Sequence, residues 1–439
     1  MKILFIKSEN LSIMFDSQKN ASSISPTRLS PKPRDSRGDP KMTQMSRCID
    51  DRPRVRWMQP ELLQVKGETF VSLRDPAGIQ AEVMLLSPLA YQLTGLMDGL
   101  NTRSEILQQA RERWGVSLQP DQLDQLLNSL EERYVLDNAT SRGYLRDLPS
   151  RPAAHAGSAY PADSEELRQF LDQLLEGSPK KQGPASSAYL IPHIDLRRGR
   201  DSYAQAYNHA GAGLEEFDLF VILGITHAYS HNPFVLTRKD FETPLGLVET
   251  DRETVEKLAS GLSFDPFLDE FNHLGEHSIE FQLVFLQHLR SRPLKILPIL
   301  CGSFQAHLET PSWPEEDGRV AEFLRRLGEI VPRQRTCWIA SVDLAHMGQR
   351  FGGPPLSVAA LKKIEERDRE SMRQAASGQA RDFLATLQED KGQRNYCGTS
   401  AIYSLLQVLQ PGPGTLLNYQ QCNEPGLTST VTVASVSFP

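Results

Sequence analysis

Along this chain of 439 residues, apolar positions recur in distinct ways, and each predicts a different kind of structure. Residues 1–56, rich in Ser, Pro and Arg around SPTRLSPKPRDSRGDPK, show no periodicity and predict a disordered leader. From Trp57 to Asn138 short apolar segments appear. ETFVSL and AEVMLL flank RDPAGIQ, whose Asp-Pro and Gly predict the turn of a β-hairpin. Three helices are predicted next. Ser87 and Pro88 open LAYQLTGLMDGL, which Gly99 closes, and Thr102 opens RSEILQQARERW before Gly115. Pro120 opens DQLDQLLNSLEERYVL, where Leu123, Leu126, Leu127 and Leu130 form one apolar stripe. A hairpin with three short helices predicts a small winged-helix-like α+β domain over 57–138. Residues 139–154, ATSRGYLRDLPSRPAA, read as a linker by composition.

From 155 to 439 strands and helices alternate, which predicts an α/β domain with a mainly parallel central sheet flanked by helices. Asp163, with Glu166 three residues on, opens a helix that Gly177 ends. AYLI is a strand stopped by Pro192, and FDLFVILGI and LKILPILC are continuous apolar runs of the fully buried parallel kind. The helix HSIEFQLVFLQHL is apolar nearly all round and must be buried, with Glu276 and Glu280 at its positive end. WIASV is another buried strand, and TSTVTVASVSF predicts a tail that joins the sheet.

The remaining bulk properties narrow the class. A net charge of −7 argues against a general nucleic-acid or anionic-membrane binder. Glu61–Asp137 holds 6 Lys and Arg against 12 Asp and Glu, a net −6 that contradicts the DNA-binding role usual for its predicted shape. Five scattered cysteines without a CxxC make no disulfide framework and fit a reducing compartment. No run of apolar residues is long enough to span a membrane, so a cytoplasmic location is expected.

Candidate chemistry sits where buried strands stop. His193 and Asp195 follow the AYLI strand, His227 follows VILGI, and Asp343 and His346 follow WIASV. In a parallel sheet these positions share one edge, the edge where open α/β sheets hold their sites. Three histidines converging there favour a metal or acid–base site over three unrelated core histidines. Cys397 precedes an apolar helix, where the dipole and free N–H groups stabilise a thiolate suited to metal ligation or nucleophilic work. His277, at the start of the buried helix, either faces the site or packs.

Taken together, HAGSAYP, the Pro-His of LIPHID, LGITHA, EHSIEFQL, SVDLAHMGQRFG and YCGTSAI, in this order, resemble the Memo-like family, also labelled AmmeMemoRadiSam system protein B. The resemblance covers residues 155–439 and implies a fold similar to the extradiol ring-cleaving non-heme iron dioxygenases. It implies that His193, His227 and Cys397 are metal ligands and that His346 is the acid–base group with Asp343 beside it; two histidines and a thiolate suit iron(II) or copper, and less distinctively zinc, and Asp343 is expected to hold His346 in orientation. His277 matches a histidine near the substrate pocket. After Pro192-His193 the usual glycine-rich continuation is replaced by Ile194-Asp195-Leu196-Arg197-Arg198-Gly199, so Asp195 and Arg197 either line the pocket mouth and meet substrate or form a surface salt bridge. SPLAYQLTGLMDGLNTRSEILQQA resembles the PqqD-like peptide-recognition domains, which implies a partner segment bound by strand addition. The family label implies a radical-SAM enzyme and an AMMECR1-like protein as partners. Three functions follow: a metal-dependent redox enzyme, a non-catalytic peptide-binding adaptor, or a metal-handling protein without turnover. From its charge, the N-terminal module is expected to show no salt-dependent binding to duplex DNA in a fluorescence-anisotropy titration; tight binding at physiological salt would contradict this reading.

Overall fold

The structure is a computed structural model. It describes residues 51–80, 83–178 and 186–439, together with the backbones of Leu4–Ile6 and Ile13–Met14. The chain divides into two compact units, Met1–Asp147 and Leu148–Pro439.

The smaller unit carries one sheet, in the order β2-β1-β5-β4-β3. Its strands are β1 (Leu4–Ile6), β2 (Ile13–Met14), β3 (Gln59–Val65), β4 (Glu68–Arg74) and β5 (Met84–Leu86). The predicted hairpin is present as the antiparallel pair of β4 and β5, with Val71 opposite Leu86. A further antiparallel strand, β3, forms the edge. Helices α1 (Pro88–Thr94), α2 (Arg103–Trp114), α3 (Pro120–Glu131) and α4 (Ala139–Asp147) complete the unit. Three expectations need correction. Helix α1 ends at Thr94 rather than near Gly99, because the N–H groups of Leu96 and Met97 bond back only three residues, a tighter turning that buries both side chains. The leader does not extend to 56, since Val55 and Arg56 bond to Met97 and Val135 and Arg56 is buried against Asp75; its central part lies outside the described residues. Residues 139–154 are not a plain linker: α4 occupies the first half, and Arg151 in the second half is fully buried in the larger unit.

The larger unit is built on a ten-stranded sheet, ordered β13-β15-β6-β12-β7-β11-β10-β9, with β14 beside β15 and β8 beside β11. The strands are β6 (Ala188–Ile191), β7 (Leu219–Ile225), β8 (Phe234–Leu236), β9 (Phe241–Thr243), β10 (Gly246–Thr250), β11 (Lys295–Cys301), β12 (Thr336–Ser341), β13 (His346–Gly348), β14 (Thr415–Asn423) and β15 (Ser429–Phe438). β6, β12, β7, β11 and β10 run parallel, and the remaining pairings are antiparallel. The C-terminal tail joins the sheet as expected, antiparallel to β6. Because side chains alternate across a strand, Trp338 and Ala340 of β12 enter one apolar core while Cys337 and Ile339 enter the other. Helices α7 (Arg252–Ala259), α11 (Gly318–Ile330), α12 (Val358–Ala376), α13 (Ala380–Gln388) and α14 (Thr399–Leu409) fill the first core. The second takes α5 (Ser164–Leu175), α6 (Arg200–Ala210) and α9 (His277–Leu289); α8 (Asn272–Gly275) and α10 (Gln305–Glu309) are single turns. With a core on each face, the central strands read as unbroken apolar runs.

α9 is buried from Ser278 to Leu286, so its polar side chains must find partners inside the protein. Glu280 is fully buried and accepts from the Arg151 guanidinium, from the Tyr160 hydroxyl, and from the backbone N–H groups of Ala154 and His155 at 3.1 and 2.9 Å. Arg151 also donates to the carbonyls of His273 and Glu276, at 2.9 and 2.7 Å, so the chain entering the larger unit is pinned to the start of α9. Replacing Arg151 with Met would leave Glu280 a buried charge without its cation, and should cost about 3–5 kcal/mol. Urea denaturation of the larger unit checks this, and Arg151→Met combined with Glu280→Leu should recover part of the loss.

Candidate metal centre

The parallel order β6-β12-β7 brings three strand ends side by side. Pro192 has no N–H to continue the ladder, so β6 stops and His193 turns out of the sheet edge. β7 runs into Thr226 and His227, and β12 into Val342 and Asp343. α9 abuts this edge with its N-terminus. Gly224 permits the approach: a Cβ there would lie 2.7 Å from Ser278 Oγ and 2.8 Å from Ile279 Cγ1. Ser278 then clamps β7, accepting from the N–H of Ile225 at 3.1 Å and donating to its carbonyl at 3.0 Å. Gln282 donates to the Pro192 carbonyl at 2.8 Å and to Ser341 Oγ at 2.7 Å, tying the ends of β6 and β12 together.

His193 and His227 are each oriented by a partner on the inner ring nitrogen. His193 Nδ1 lies 2.8 Å from the Ser341 carbonyl, which only accepts, so this nitrogen carries a proton and Nε2 points elsewhere. His227 Nδ1 lies 3.1 Å from both oxygens of Glu276, which also accepts from the His227 N–H at 3.0 Å. Glu276 in addition caps α9, accepting from the N–H groups of His277 and Ser278 at 2.9 and 3.0 Å. His277 stacks on His227 with ring centroids 4.9 Å apart, and both rings lie within 5.3 Å of that of His193. One ring nitrogen from each of His193, His227 and His277 lies within 4.8 Å of the others. Such a set is able to hold a metal ion.

Cys397 completes the cluster, its Sγ 3.4 Å from His193 Nε2. A second close approach places it. Gly398 donates to the Asp343 carbonyl at 3.0 Å, and a Cβ on that glycine would lie 2.6 Å from that of Val342. The thiol borders a cavity of about 170 Å³ that His227, Phe304, Tyr396 and Ser400 also line. The His227 side chain is 42% exposed, so the cluster opens to solvent on that side.

Charge is distributed unevenly. Burial alone would push the Cys397 thiol up, but His193, with His227 adding to it, brings it down to about 6. Burial disfavours the His193 cation, yet Asp343 and Cys397 raise it to about 9. His227 is raised against the desolvation imposed by its packed neighbours, chiefly by Glu276. His277 is pushed down to about 3, first by burial and then by the two neighbouring imidazoles, and so is neutral at pH 7. Without a metal, the cluster is therefore an imidazolium–thiolate arrangement with one neutral imidazole beside it.

The candidate residues are brought together only in part. His193, His227 and Cys397 converge, and His277, assigned to the substrate pocket on resemblance, stands inside the nitrogen cluster. Asp343 does not hold His346. Its Oδ1 accepts from the N–H groups of His193 and Ile194 at 2.9 and 3.0 Å, and its Oδ2 lies 3.8 Å from His193 Nε2. His346 Nδ1 is instead 3.0 Å from the Leu344 carbonyl, with the ring edge-on to Phe351. Asp195 is exposed and accepts from the N–H groups of Arg197 and Arg198, both at 3.0 Å, forming a turn rather than a salt bridge. Ser278, Gln282, Arg151 and Tyr160 were not identified from sequence. The signal was present for two of them, as polar residues inside a helix otherwise apolar all round.

Fold and site together define an α/β protein with a metal-capable histidine cluster on the carboxyl edge of its parallel strands. The family model described as Memo-like protein matches residues 151–438, and the chain belongs to that family. It is 28% identical to a MEMO1 family protein of Aquifex aeolicus over 88% of this chain and all of that protein, an alignment that runs past the family model into the smaller unit. It is 26% identical to one from Thermus thermophilus over 74% of this chain and 94% of the other. The memo-1 homolog of Caenorhabditis elegans is 27% identical over 60% of this chain and 71% of the other.

A thiol lowered in this way is a thiolate above about pH 6 and loses reactivity below it. Burial pushes Cys301, Cys337 and Cys422 up instead. In metal-free protein, iodoacetamide should therefore modify Cys397 well before those three, with a midpoint near pH 6 read by peptide mass spectrometry. His193→Ala should move that midpoint upward.

Proposed function

We propose that the protein is a metal-dependent redox enzyme in which His193, His227 and Cys397 hold iron or copper and His277 supplies a further nitrogen. The observation that carries this reading is the convergence of three imidazole nitrogens within 4.8 Å, with the Cys397 sulfur 3.4 Å from one of them. The donor set fits the ion. The Nδ1 atoms of His193 and His227 are committed to Ser341 and Glu276, which leaves their Nε2 atoms for ligation, and the lowered thiol offers a charged sulfur. A bound iron or copper ion would supply electron transfer to or from a small molecule. The residues of the chain would do the rest. Glu276 and the Ser341 carbonyl orient the rings, Asp343 holds the His193 turn, and His346, outside the nitrogen cluster, would accept or release a proton. The sequence resemblance implies a fold like that of the extradiol dioxygenases, and such a fold would support the redox reading. Cys397, where those enzymes use a carboxylate, argues against ordinary ring cleavage.

A second reading, peptide binding by the smaller unit, is favoured by one observation. β3 is an edge strand with Leu62 74% exposed, the kind of edge a partner segment extends. It is compatible with the first reading and with a radical-SAM enzyme and an AMMECR1-like protein acting on the same substrate.

Metal analysis of protein purified without oxygen should find about one iron or copper per chain. His193→Ala, His227→Ala and Cys397→Ala should each lose it, while His346→Ala keeps the metal and loses dioxygen consumption. Wild-type protein with no affinity for either ion would end the redox reading. Because protons on His193, His227 and Cys397 compete with the metal, affinity should rise from about pH 6 to about pH 9.

A further inference from the structure

A larger cavity of about 420 Å³, lined in part by His346, falls within the size range of small-molecule sites. We propose that it binds a small organic anion with a ring-sized apolar body, and that this is the class to which the substrate belongs. The second half of that statement rests on His346 being the proton-handling group; the binding itself does not.

Two features of the lining select this chemistry. Met347, Phe351, Leu356 and Ile364 form an apolar surface, with Phe351 edge-on to the His346 ring at 5.1 Å. Charge is unbalanced. Arg394 is spent on Asp368, Asp390, Ser371 and the Thr386 carbonyl, so it offers little to a ligand. Lys363 and Arg367, one turn apart on α12, both line the cavity. Arg367 gives one nitrogen to Glu389, and Lys363 has no ion-pair partner among the described residues. An acidic group on the ligand would answer these cations. His346 belongs to the same wall, so a ligand seated here contacts the group proposed to handle the proton.

The test uses 3-(3-fluoro-4-hydroxyphenyl)propionate as probe and its primary amide as the neutral counterpart. Fluorine NMR titrations are run on the full-length, metal-free protein, so the result does not depend on whether a metal is ever bound. Saturable binding of one propionate per chain is expected, with the amide at least ten-fold weaker. Lys363→Glu should weaken the propionate at least ten-fold, and Ala360→Trp, which fills the cavity from a partly exposed helix position, should abolish binding. No saturable binding to wild type, or binding unchanged by Ala360→Trp, overturns the site. Equal binding of the amide, or no effect of Lys363→Glu, overturns the anionic class. Binding to the metal-free protein together with a failed metal analysis would keep this site and discard the redox reading.

Discussion

The structure depends most on the seating of a buried helix end against the carboxyl edge of the sheet, with Glu276 as its fastening. That carboxylate accepts from the backbone N–H and the imidazole of His227 and from the N–H groups of His277 and Ser278. It lies at the positive end of α9, where a negative charge is favoured, and despite burial the neighbouring His227 and His277 hold its carboxyl well below the usual carboxylate range. The same four interactions cap a helix, fix a tautomer and join two segments distant in sequence. Moving Glu276 would therefore disturb helix, sheet edge and cluster together.

Around this fastening the protein accepts polar groups in a dry interior. A buried polar atom is costly unless it is bonded, and along α9 the bonding is nearly complete. Ser278 closes on both backbone groups of Ile225, Gln282 spans Pro192 and Ser341, and Glu280 is met by Arg151, Tyr160 and two N–H groups. Gly224 and Gly398 remove the side chains that would keep α9 and the Cys397 turn away from the strands. The rigid elements thus place His193, His227, His277 and Cys397 from four separate parts of the chain, which suits a site that must meet a geometric demand.

The electrostatics of the cluster follow from the same arrangement. Carboxylates Asp343 and Glu276 sit behind His193 and His227 and raise them, while the two imidazoles lower Cys397. A cation entering such a site would meet a negative sulfur and displace protons held by the histidines, so the carboxylates that stabilise the metal-free charges would also increase the basicity of any ring that held it.

Much of this was legible in the chain. Unbroken apolar runs such as FVILGI announce strands covered on both faces, and their stops at Pro192, Thr226 and Asp343 announce a shared edge, because local sterics and burial set both. The resemblance pointed to His193, His227 and Cys397 without geometry. Tertiary structure alone decided who faces whom. Asp343 and His346 are three residues apart, yet the carboxylate serves His193, 150 residues away in sequence. Residues 139–154 look like a linker because their composition is polar, but composition cannot reveal that Arg151 will be neutralised by a glutamate 129 residues later. Periodicity is a local property. The pairing of buried charges and the choice of a histidine's partner depend on contacts between segments far apart in sequence, and those exist only once the sheet and α9 have packed.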